Sequence, residues 1–551
     1  MQKSAFKFRK NDRIGTAGAE EDTEFLSKCF VDTGELSLLE DVLDCREIVL
    51  GRTGSGKSAL LIKLAERKQN QVIQISPESL ALTYLSNSTI LNFFAHLGVN
   101  LDPFFKLLWR HVFTVEILRH HLHDSPEQHK TLSRWLADMF TGNSRHDKEM
   151  REAVQYLKNW GESFWEETEF RVKEITQKVE AELSAEFKAH AGIGISEIGA
   201  SSTATAAALG RLTEEKKAEL VKRGQNVVSA AQVQDLHKVI KLLDNVLQDR
   251  QKPYYVVIDN LDHNWVDEKI RYKLIMALIL TAREFVHVNN AKIIVALRRD
   301  LIERVFRLTR DSGFQEEKFQ SCYIPLVWTK DNLLDVLDKR VDALVKHRYT
   351  KESVTHKDFL PRSYDGIPIT DYIMERVARP RDVIGFFNAC IAAATDLSRL
   401  TNKAFAAAEA EYSRSTLRAL GDEWSSEYPL LLEFTAILKG RPASFKVSTI
   451  SDEEVESLAL EVATKRPEGG GLLETHAVRL VDCALSTASL KTLLVRVFFQ
   501  IGLVGLKLEP HETAYWVDEQ RTSISSAEVS NETSVVVHPM YHRALGISSR
   551  S

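Results

Sequence analysis

The sequence predicts an α/β protein built on a parallel β-sheet, and three observations lead to that fold class. Residues 45–50, 58–64 and 72–77 read as strand, helix and strand, which is the order of a βαβ unit. Two further runs, 254–259 and 292–298, are apolar without alternation, as in strands covered by helices on both faces. A glycine-rich turn joins the first strand to the first helix.

Bulk composition limits the class of protein. A chain of 551 residues is too long for one hydrophobic core, so we expect two to four domains. Its net charge of −5 argues against a surface covered with phosphate-binding charge. The 5 cysteines lie far apart and contain no CxxC pair, which disfavours a disulfide framework or a zinc site. Apolar runs are too short for a secretory signal or a membrane span, so we expect a cytoplasmic protein without a membrane partner.

Changes in pattern along the chain predict five parts. Residues 1–84 hold an N-terminal arm and the first part of the sheet domain, and 251–327 hold its second part. Between them, residues 85–250 form a helical insertion, with an apolar stripe at 172–187 and a Gly/Ser/Thr/Ala-rich segment at 191–210. That segment is either a mobile loop or a place where two helices pack closely. Residues 328–410 look all-helical and form a lid. In residues 411–551, helices precede short strands at 504–508, 513–517 and 534–539, which predicts a winged-helix-like domain.

The glycine-rich turn matches the pattern GxxxxGK[ST] in full, between a strand and a helix. Its residues are Gly51, Arg52, Thr53, Gly54, Ser55, Gly56, Lys57 and Ser58. Glycines let backbone N–H groups point at phosphates at the start of a helix. Lys57 is expected to reach the β- and γ-phosphates, and the Ser58 hydroxyl to hold Mg²⁺. The pattern therefore predicts a site for ATP or GTP with Mg²⁺.

An acidic strand end supplies the second half of the predicted site. Asp259 closes the strand at 254–259 and is the expected carboxylate on the metal side. The next residue is Asn260, which cannot act as a general base. Asp262 either takes over that function, if the turn brings it inward, or is a surface turn residue. Without a base, hydrolysis is expected to be slow.

Two groups of arginines are further candidates. Arg298 and Arg299 follow a strand, at the edge of the sheet where ligands bind. Arg298 is the stronger candidate of the two. It either senses the γ-phosphate or pairs with an acid such as Asp300. Arg379 and Arg381 flank a proline that suits a helix start in the predicted lid. Either of these two reaches the γ-phosphate from the lid, or it packs and forms a salt bridge.

Several of these segments together resemble the STAND and AAA+ branch of P-loop ATPases: GRTGSGKS, IDNLDHNW, ALRRD and ARPRDVIGFFN. More narrowly, GFQEEK, Trp328 and the ending HPMYHRAL are similar to a family of bacterial P-loop ATPases of largely unassigned role. The resemblance implies an ATPase core, a helical lid with Arg379 and Arg381, and a C-terminal winged helix. Many such ATPases are switches that oligomerise, and many belong to antiphage defence or DNA maintenance. Asn260 stands where typical AAA+ ATPases carry an acid, which puts rapid hydrolysis in doubt.

Two functions of different classes follow. The first is an ATP-driven switch or assembly factor that acts as a homo-oligomer with a separate effector protein, since the chain shows no nuclease, protease or deaminase pattern. A neighbouring subunit would then offer Arg304, Arg307 or Arg310 to the nucleotide. The second is a nucleic-acid-acting ATPase, a loader or translocase, which the winged helix would favour and the acidic net charge does not.

Overall fold

The computed structural model describes a large part of the chain in two compact units. The described residues are 7–79, 100–123, 145–160, 240, 243, 247, 252–263, 265, 268–288, 290–309, 316–348, 353–465, 470–509, 512–517 and 524–547. One unit spans Asp32–Val327, and the other joins Met1–Val31 to Trp328–Ser551. Most of the insertion predicted at 85–250, with the apolar stripe and the segment 191–210, lies outside the described residues.

The first unit contains the predicted parallel sheet, and the α/β fold class is confirmed. Its strands are β1 (Ile48–Gly51), β2 (Val72–Ile75), β3 (Tyr254–Ile258), β4 (Ala291–Arg298) and β5 (Tyr323–Pro325). They pair in the order β2-β3-β4-β1-β5, and every pair is parallel. All carboxyl ends therefore meet at one edge of the sheet. Because β4 lies between β1 and β3, the end of β4 lies between the glycine-rich turn and Asp259.

Helices cover both faces of this sheet, which explains why its strands are apolar throughout. The helices are α2 (Glu35–Glu40), α3 (Lys57–Arg67), α4 (Asp102–His123), α5 (Arg145–Trp160), α6 (Glu268–Phe285) and α7 (Arg299–Leu308). Alternate strand residues share one core with α4, α6 and α7; they include Ile48, Leu50, Val256, Ile258, Val295 and Leu297. Trp109 of α4 anchors that core by donating from Nε1 to the Leu274 carbonyl of α6 over 2.9 Å.

The opposite face of the sheet lies against α2 and α3. Tyr255 donates from its hydroxyl to the Glu40 carbonyl over 2.7 Å. Lys292 donates from Nζ to the carbonyls of Leu38 and Asp41, at 2.6 and 2.7 Å. These bonds satisfy the carbonyl groups of Leu38 and Glu40 at the end of α2, and the Asp41 carbonyl also accepts from the Asp44 backbone N–H over 3.3 Å. Helix α3, which follows the glycine-rich turn, therefore packs on a face of the sheet where the polar groups of Tyr255 and Lys292 are hydrogen-bonded.

The helical part of the second unit contains the arm and the predicted lid. Its elements are α1 (Thr23–Cys29), α8 (Lys330–Arg348), β6 (Ser363–Tyr364), β7 (Ile367–Pro368), α9 (Ile369–Met374), α10 (Pro380–Ala393) and α11 (Asn402–Glu423). The expectation that 328–410 is all-helical is wrong at β6 and β7, which form a two-stranded antiparallel hairpin. Its cause is the dipeptide Asp365-Gly366, whose φ angles of 50° and 81° suit a tight hairpin turn.

The arm packs within this second unit. Arg340 of α8 donates to the Asp22 carboxylate over 2.6 Å and to the Ile14 carbonyl over 2.9 Å, and the ion pair is buried. Phe8 is also buried and meets the ring of Phe359 edge-on, with centroids 5.2 Å apart. A buried ion pair with a second hydrogen bond is costly to break from one side only. These contacts tie residues 7–31 to the helices of residues 330–423.

The C-terminal part of the second unit contains a small antiparallel sheet. Its elements are α12 (Leu431–Phe434), β8 (Ser444–Lys446), α13 (Asp452–Lys465), α14 (Leu472–Val481), α15 (Thr487–Gln500), β9 (Val504–Lys507), β10 (Ser534–Val537) and α16 (His542–Leu545). The strands pair in the order β8-β10-β9. The strands predicted at 504–508 and 534–539 are confirmed as β9 and β10, which end at Lys507 and Val537. Of the run 513–517, Tyr515 pairs with Leu506 of the sheet in an isolated bridge, and Val517 is also a bridge residue.

A buried carboxylate joins the end of the chain to α11. Glu409 accepts from Arg376 Nε at 2.8 Å, from the Tyr372 hydroxyl at 2.6 Å and from Arg543 Nε at 2.9 Å. Ser413, one turn further along α11, accepts from the backbone N–H of Ala544 at 3.0 Å. Three donors, two of them guanidinium groups, thus surround this buried carboxylate. The ending HPMYHRAL is thus explained, in part, as a segment that packs against α11.

Within the described ranges, every helix is too short or too polar to cross a lipid bilayer.

Glu47 is a buried acid at the amino end of β1. Burial raises the pKa of Glu47 to about 8, while the positive charges of Lys292 and Arg283 act in the opposite direction. A carboxyl group whose pKa is raised by folding binds more protons in the folded than in the unfolded chain. Its contribution to stability is therefore complete below the unfolded value of 4.5 and is lost as pH rises through about 8.

We expect Glu47→Gln to remove this loss. Relative to the wild type, the variant should gain roughly 3 kcal/mol in the free energy of unfolding between pH 5 and pH 8. Denaturant titration followed by tryptophan fluorescence at both pH values measures the difference. Glu66→Gln, on the exposed side of α3, is the control and should show no such gain. Equal pH slopes for the wild type and Glu47→Gln would contradict a neutral Glu47 in the folded protein.

Candidate functional site

The predicted glycine-rich loop, Gly51–Ser58, joins the carboxyl end of β1 to the start of α3. Gly54 and Gly56 have φ angles of 78° and 98°, which favour glycine. A Cβ atom on Gly51 would lie 2.1 Å from Ser55 Oγ and 3.0 Å from Ser55 Cβ, so the loop turns back closely on its first residue. Ser55 donates its backbone N–H to the Arg52 carbonyl over 3.1 Å. Thr53 lies in the same turn.

Lys57 is the first residue of α3, and its side chain folds back over the loop. Its Nζ donates to the carbonyls of Gly51 and Arg52, at 3.2 Å in both cases. Burial lowers the pKa of Lys57, while the carboxylates of Asp259 and Asp262 act in the opposite direction. The amine is therefore held at the mouth of the loop by two neutral carbonyls. An anion that reaches the loop could replace these weak partners with a charged one.

Ser58 and Asp259 meet at the edge of the sheet. The Ser58 hydroxyl donates to Asp259 Oδ2 over 2.7 Å, although the two residues are 201 positions apart. A hydroxyl and a carboxylate are hard oxygen ligands of the kind that Mg²⁺ prefers. These two side chains could hold a magnesium ion at the first turn of α3, next to Lys57. The donor set and the closely turned loop fit a nucleoside triphosphate with its metal.

Asn260 and Asp262 lie in the turn after β3, and their side chains have different neighbours. Asn260 is exposed, has a left-handed φ of 60°, and donates its backbone N–H to Asp259 Oδ1 over 2.8 Å. Asp262 lies within 3.7 Å of an Arg298 guanidinium nitrogen, so it faces the end of β4. Arg271 of α6 fixes the turn by donating to the carbonyls of Asp262 and His263, at 3.4 and 2.9 Å. Asp262 is exposed in the turn, and its carboxylate faces the end of β4, where it is ion-paired with Arg298.

Arg298 is the last residue of β4 and pairs in register with Gly51. Its guanidinium donates to both oxygens of Asp300, from Nε at 3.0 Å and from a terminal nitrogen at 2.9 Å. This is the salt bridge that the sequence left open as the alternative to phosphate sensing. Asp300 also lies 4.0 Å from a nitrogen of Arg304. The end of β4 is therefore the centre of a charged cluster between the glycine-rich loop and Asp259.

Arg304 has neighbours of its own and is nearly buried. It donates to the Tyr272 hydroxyl over 3.0 Å and lies 3.7 Å from a Glu268 oxygen. Tyr272 in turn donates to Glu268. Reasoning from sequence missed Arg271, Tyr272 and Glu268, because charged and aromatic residues on a helix carry no pattern that indicates a distant strand end. Of the arginines considered for donation to a neighbouring subunit, Arg307 is exposed, and Arg310 lies outside the described residues.

The two arginines of the predicted lid belong to the second unit. Arg379 is paired with Asp382 at 3.2 Å and with Glu423 at 3.8 Å. Arg381 donates from Nε to the Ala17 carbonyl over 3.3 Å. The packing and salt bridge that the sequence left open are thus observed for Arg379. A phosphate contact of Arg381 stays a prediction.

Comparisons with known proteins match only part of the chain. Residues 331–421 match the FunZ-associated C-terminal helical domain, and this range contains nearly all of α8 to α11, with Arg376 and Glu409. The 80.3 kDa protein named for transposon gamma-delta, from Escherichia coli (strain K12), is 33% identical over 118 residues. That match covers 20% of this chain and only 16% of the relative. No solved structure matches.

The close turn at Gly51 generates a test of the loop geometry. Gly51→Ala should push the new Cβ into Ser55 and destabilise the first unit by about 1–3 kcal/mol, as overpacking does. Removing the obstructing side chain in Gly51→Ala/Ser55→Gly should restore most of that loss. Gly385→Ala is the control, because its Cβ would meet nothing closer than 3.8 Å. Thermal unfolding of the four proteins measures the effect, and a Gly51→Ala protein as stable as the wild type would contradict the turn.

Proposed function

We propose that residues 32–327 form a P-loop NTPase unit that binds ATP with Mg²⁺ and hydrolyses it slowly. The observation that carries the proposal is the hydrogen bond between Ser58 and Asp259, 2.7 Å long, beside Lys57 at the end of the glycine-rich loop. In P-loop NTPases a Ser or Thr hydroxyl and a strand-end Asp hold the magnesium ion, and the loop Lys contacts the phosphates. The full sequence pattern Gly51–Ser58 supports the same assignment.

Each group has a defined part in this proposal. Backbone N–H groups of residues 51–58 bind the phosphates at the start of α3. Lys57 exchanges its two carbonyl partners for the β- and γ-phosphates. Bound Mg²⁺ supplies Lewis-acid stabilisation of the phosphate charge, and Ser58 and Asp259 hold it. Asp262 orients the attacking water or accepts its proton once it is released from Arg298.

Slow turnover follows from the turn after β3. Asn260 lacks a basic group at the position after Asp259 and is exposed. Asp262 lies 3.7 Å from an Arg298 nitrogen, so its carboxylate already faces a cation and is not directed at a water molecule alone. The nucleotide would therefore stay bound for long periods. This suits a switch or assembly factor of the STAND and AAA+ type, as in bacterial antiphage defence, that acts as an oligomer with a separate effector protein.

The test of nucleotide binding is a comparison of two lysines on one helix. Lys57→Ala should weaken Mg-ATP binding by about 100-fold or more, because the loop loses the amine proposed to contact the β- and γ-phosphates. Lys63→Ala is the matched control, since Lys63 forms a surface pair with Glu66 at 2.6 Å. Isothermal titration calorimetry with Mg-ATP measures both affinities. A Lys57→Ala protein that binds Mg-ATP like the wild type would contradict the proposal.

A nucleic-acid-acting ATPase is the second candidate. Two observations favour it: the relative named for a transposon, and the antiparallel sheet β8-β10-β9 with helices α13 to α15, which suits the predicted winged helix. Against it, residues 411–551 carry 19 Asp and Glu but only 14 Lys and Arg. Such a domain offers little attraction to phosphates. Stimulation of ATP hydrolysis by duplex DNA at low salt, lost at 200 mM salt, would favour this second function; an unchanged rate would favour the switch.

A further inference from the structure

The pair Arg298–Asp300 shares the edge of the sheet with the proposed nucleotide site. Arg298 is in register with Gly51, the first residue of the glycine-rich loop. Its strand lies between β1, which leads into Lys57 and Ser58, and β3, which leads into Asp259. A γ-phosphate bound to Lys57 and to a metal on Ser58 and Asp259 would therefore lie beside the end of β4. Both charges of the pair belong to the electrostatic surroundings of Lys57.

Arg298 is held by its carboxylate partner in a two-pronged geometry. The bonds to Asp300 of 3.0 and 2.9 Å use Nε and one terminal nitrogen, and both side chains are mostly buried. Such a bidentate pair neutralises the guanidinium and fixes its direction. The N–H groups used in these two bonds cannot also face a phosphate. Arg298 must therefore turn away from Asp300, at least in part, before this fork of its guanidinium can bind an anion through two hydrogen bonds.

We propose that Asp300 is a positioning residue that holds Arg298 away from the phosphate site until a nucleoside triphosphate takes over its guanidinium. The exchange of partners would then distinguish ATP from ADP, because only ATP brings a phosphate to the end of β4. This inference rests on the proposed nucleotide site and adds to it the group that senses the third phosphate. It assigns to Asp300 a part in regulation.

The residues around Asp300 lower the energetic cost of exchanging the partner of Arg298. A buried carboxylate that loses its only cation is strongly destabilising. Arg304 lies 4.0 Å from Asp300 Oδ2 and is held in place by Tyr272 and Glu268, so a second cation is ready for Asp300. Movement of Arg298 also releases Asp262, now 3.7 Å away. Arrival of the γ-phosphate would thereby free the carboxylate proposed to act on water.

The test compares affinities for a triphosphate and a diphosphate. Calorimetry with Mg²⁺ and either a non-hydrolysable ATP analogue or ADP is carried out on the wild type, Asp300→Asn, Arg298→Ala and the double variant. Asp300→Asn should bind the triphosphate about five- to tenfold more tightly, with ADP unchanged within about twofold, because Arg298 no longer has to leave an anion. Arg298→Ala should lose most of the preference for triphosphate. The double variant should match Arg298→Ala, since Asp300 acts only through Arg298.

Controls separate this inference from the nucleotide site itself. Asp335→Asn removes an exposed carboxylate paired with Lys339 and should change neither affinity. If Asp300→Asn unfolds, Asp300→Ser replaces it, because a serine suits the first turn of α7. Triphosphate binding that is unchanged, weaker, or altered equally with ADP in Asp300→Asn overturns the exchange. Failure of the proposed nucleotide site itself would give a different result. In that case the wild type would bind neither nucleotide, or Lys57→Ala would bind both as the wild type does.

Discussion

The hydrogen bond between Ser58 and Asp259 is the interaction on which the candidate site depends. The two residues are 201 positions apart, so only the sheet can bring them together. Parallel pairing does this, because it places the carboxyl ends of β1, β4 and β3 at one edge. Nearly 180 residues separate β2 from β3, yet loop closure costs little more for a long insertion than for a short one. The insertion therefore leaves the geometry of the edge intact.

Burial on both faces sets the distribution of charge in the first unit. Strand interiors are apolar, so polar groups collect at the two edges of the sheet. At the amino edge, Glu47 lies close enough to Lys292 for their charges to interact. Burial raises the pKa of Glu47 and lowers the pKa of Lys292, which favours the neutral form of each. At the carboxyl edge, Asp262 and Asp300 instead face arginines and Lys57. Only this second edge combines charge with glycine backbone, as an anion site requires.

Local patterns in the sequence predicted the strands, the glycine-rich loop and the position of Asp259, because each of these depends on neighbours in the chain. The hairpin at 363–368 was also local, and its Asp-Gly signal was overlooked. Long-range pairs could not be predicted: Asp22 meets Arg340 from 318 positions away, and Glu409 meets Arg543 from 134 positions away. One sequence gives residue types and spacing, but it does not give the register that brings distant charges together.

Charge balance at the carboxyl edge connects these features. Lys57 and Arg298 stand among three carboxylates, Asp259, Asp262 and Asp300. A bound triphosphate would add several negative charges, and repulsion from these carboxylates would oppose it unless cations were freed or added. Magnesium on Asp259 would offset one carboxylate, and release of Arg298 would supply a cation. An acid in place of Asn260 would add a further negative charge to this edge, so the residue proposed to slow hydrolysis would also make a triphosphate easier to hold.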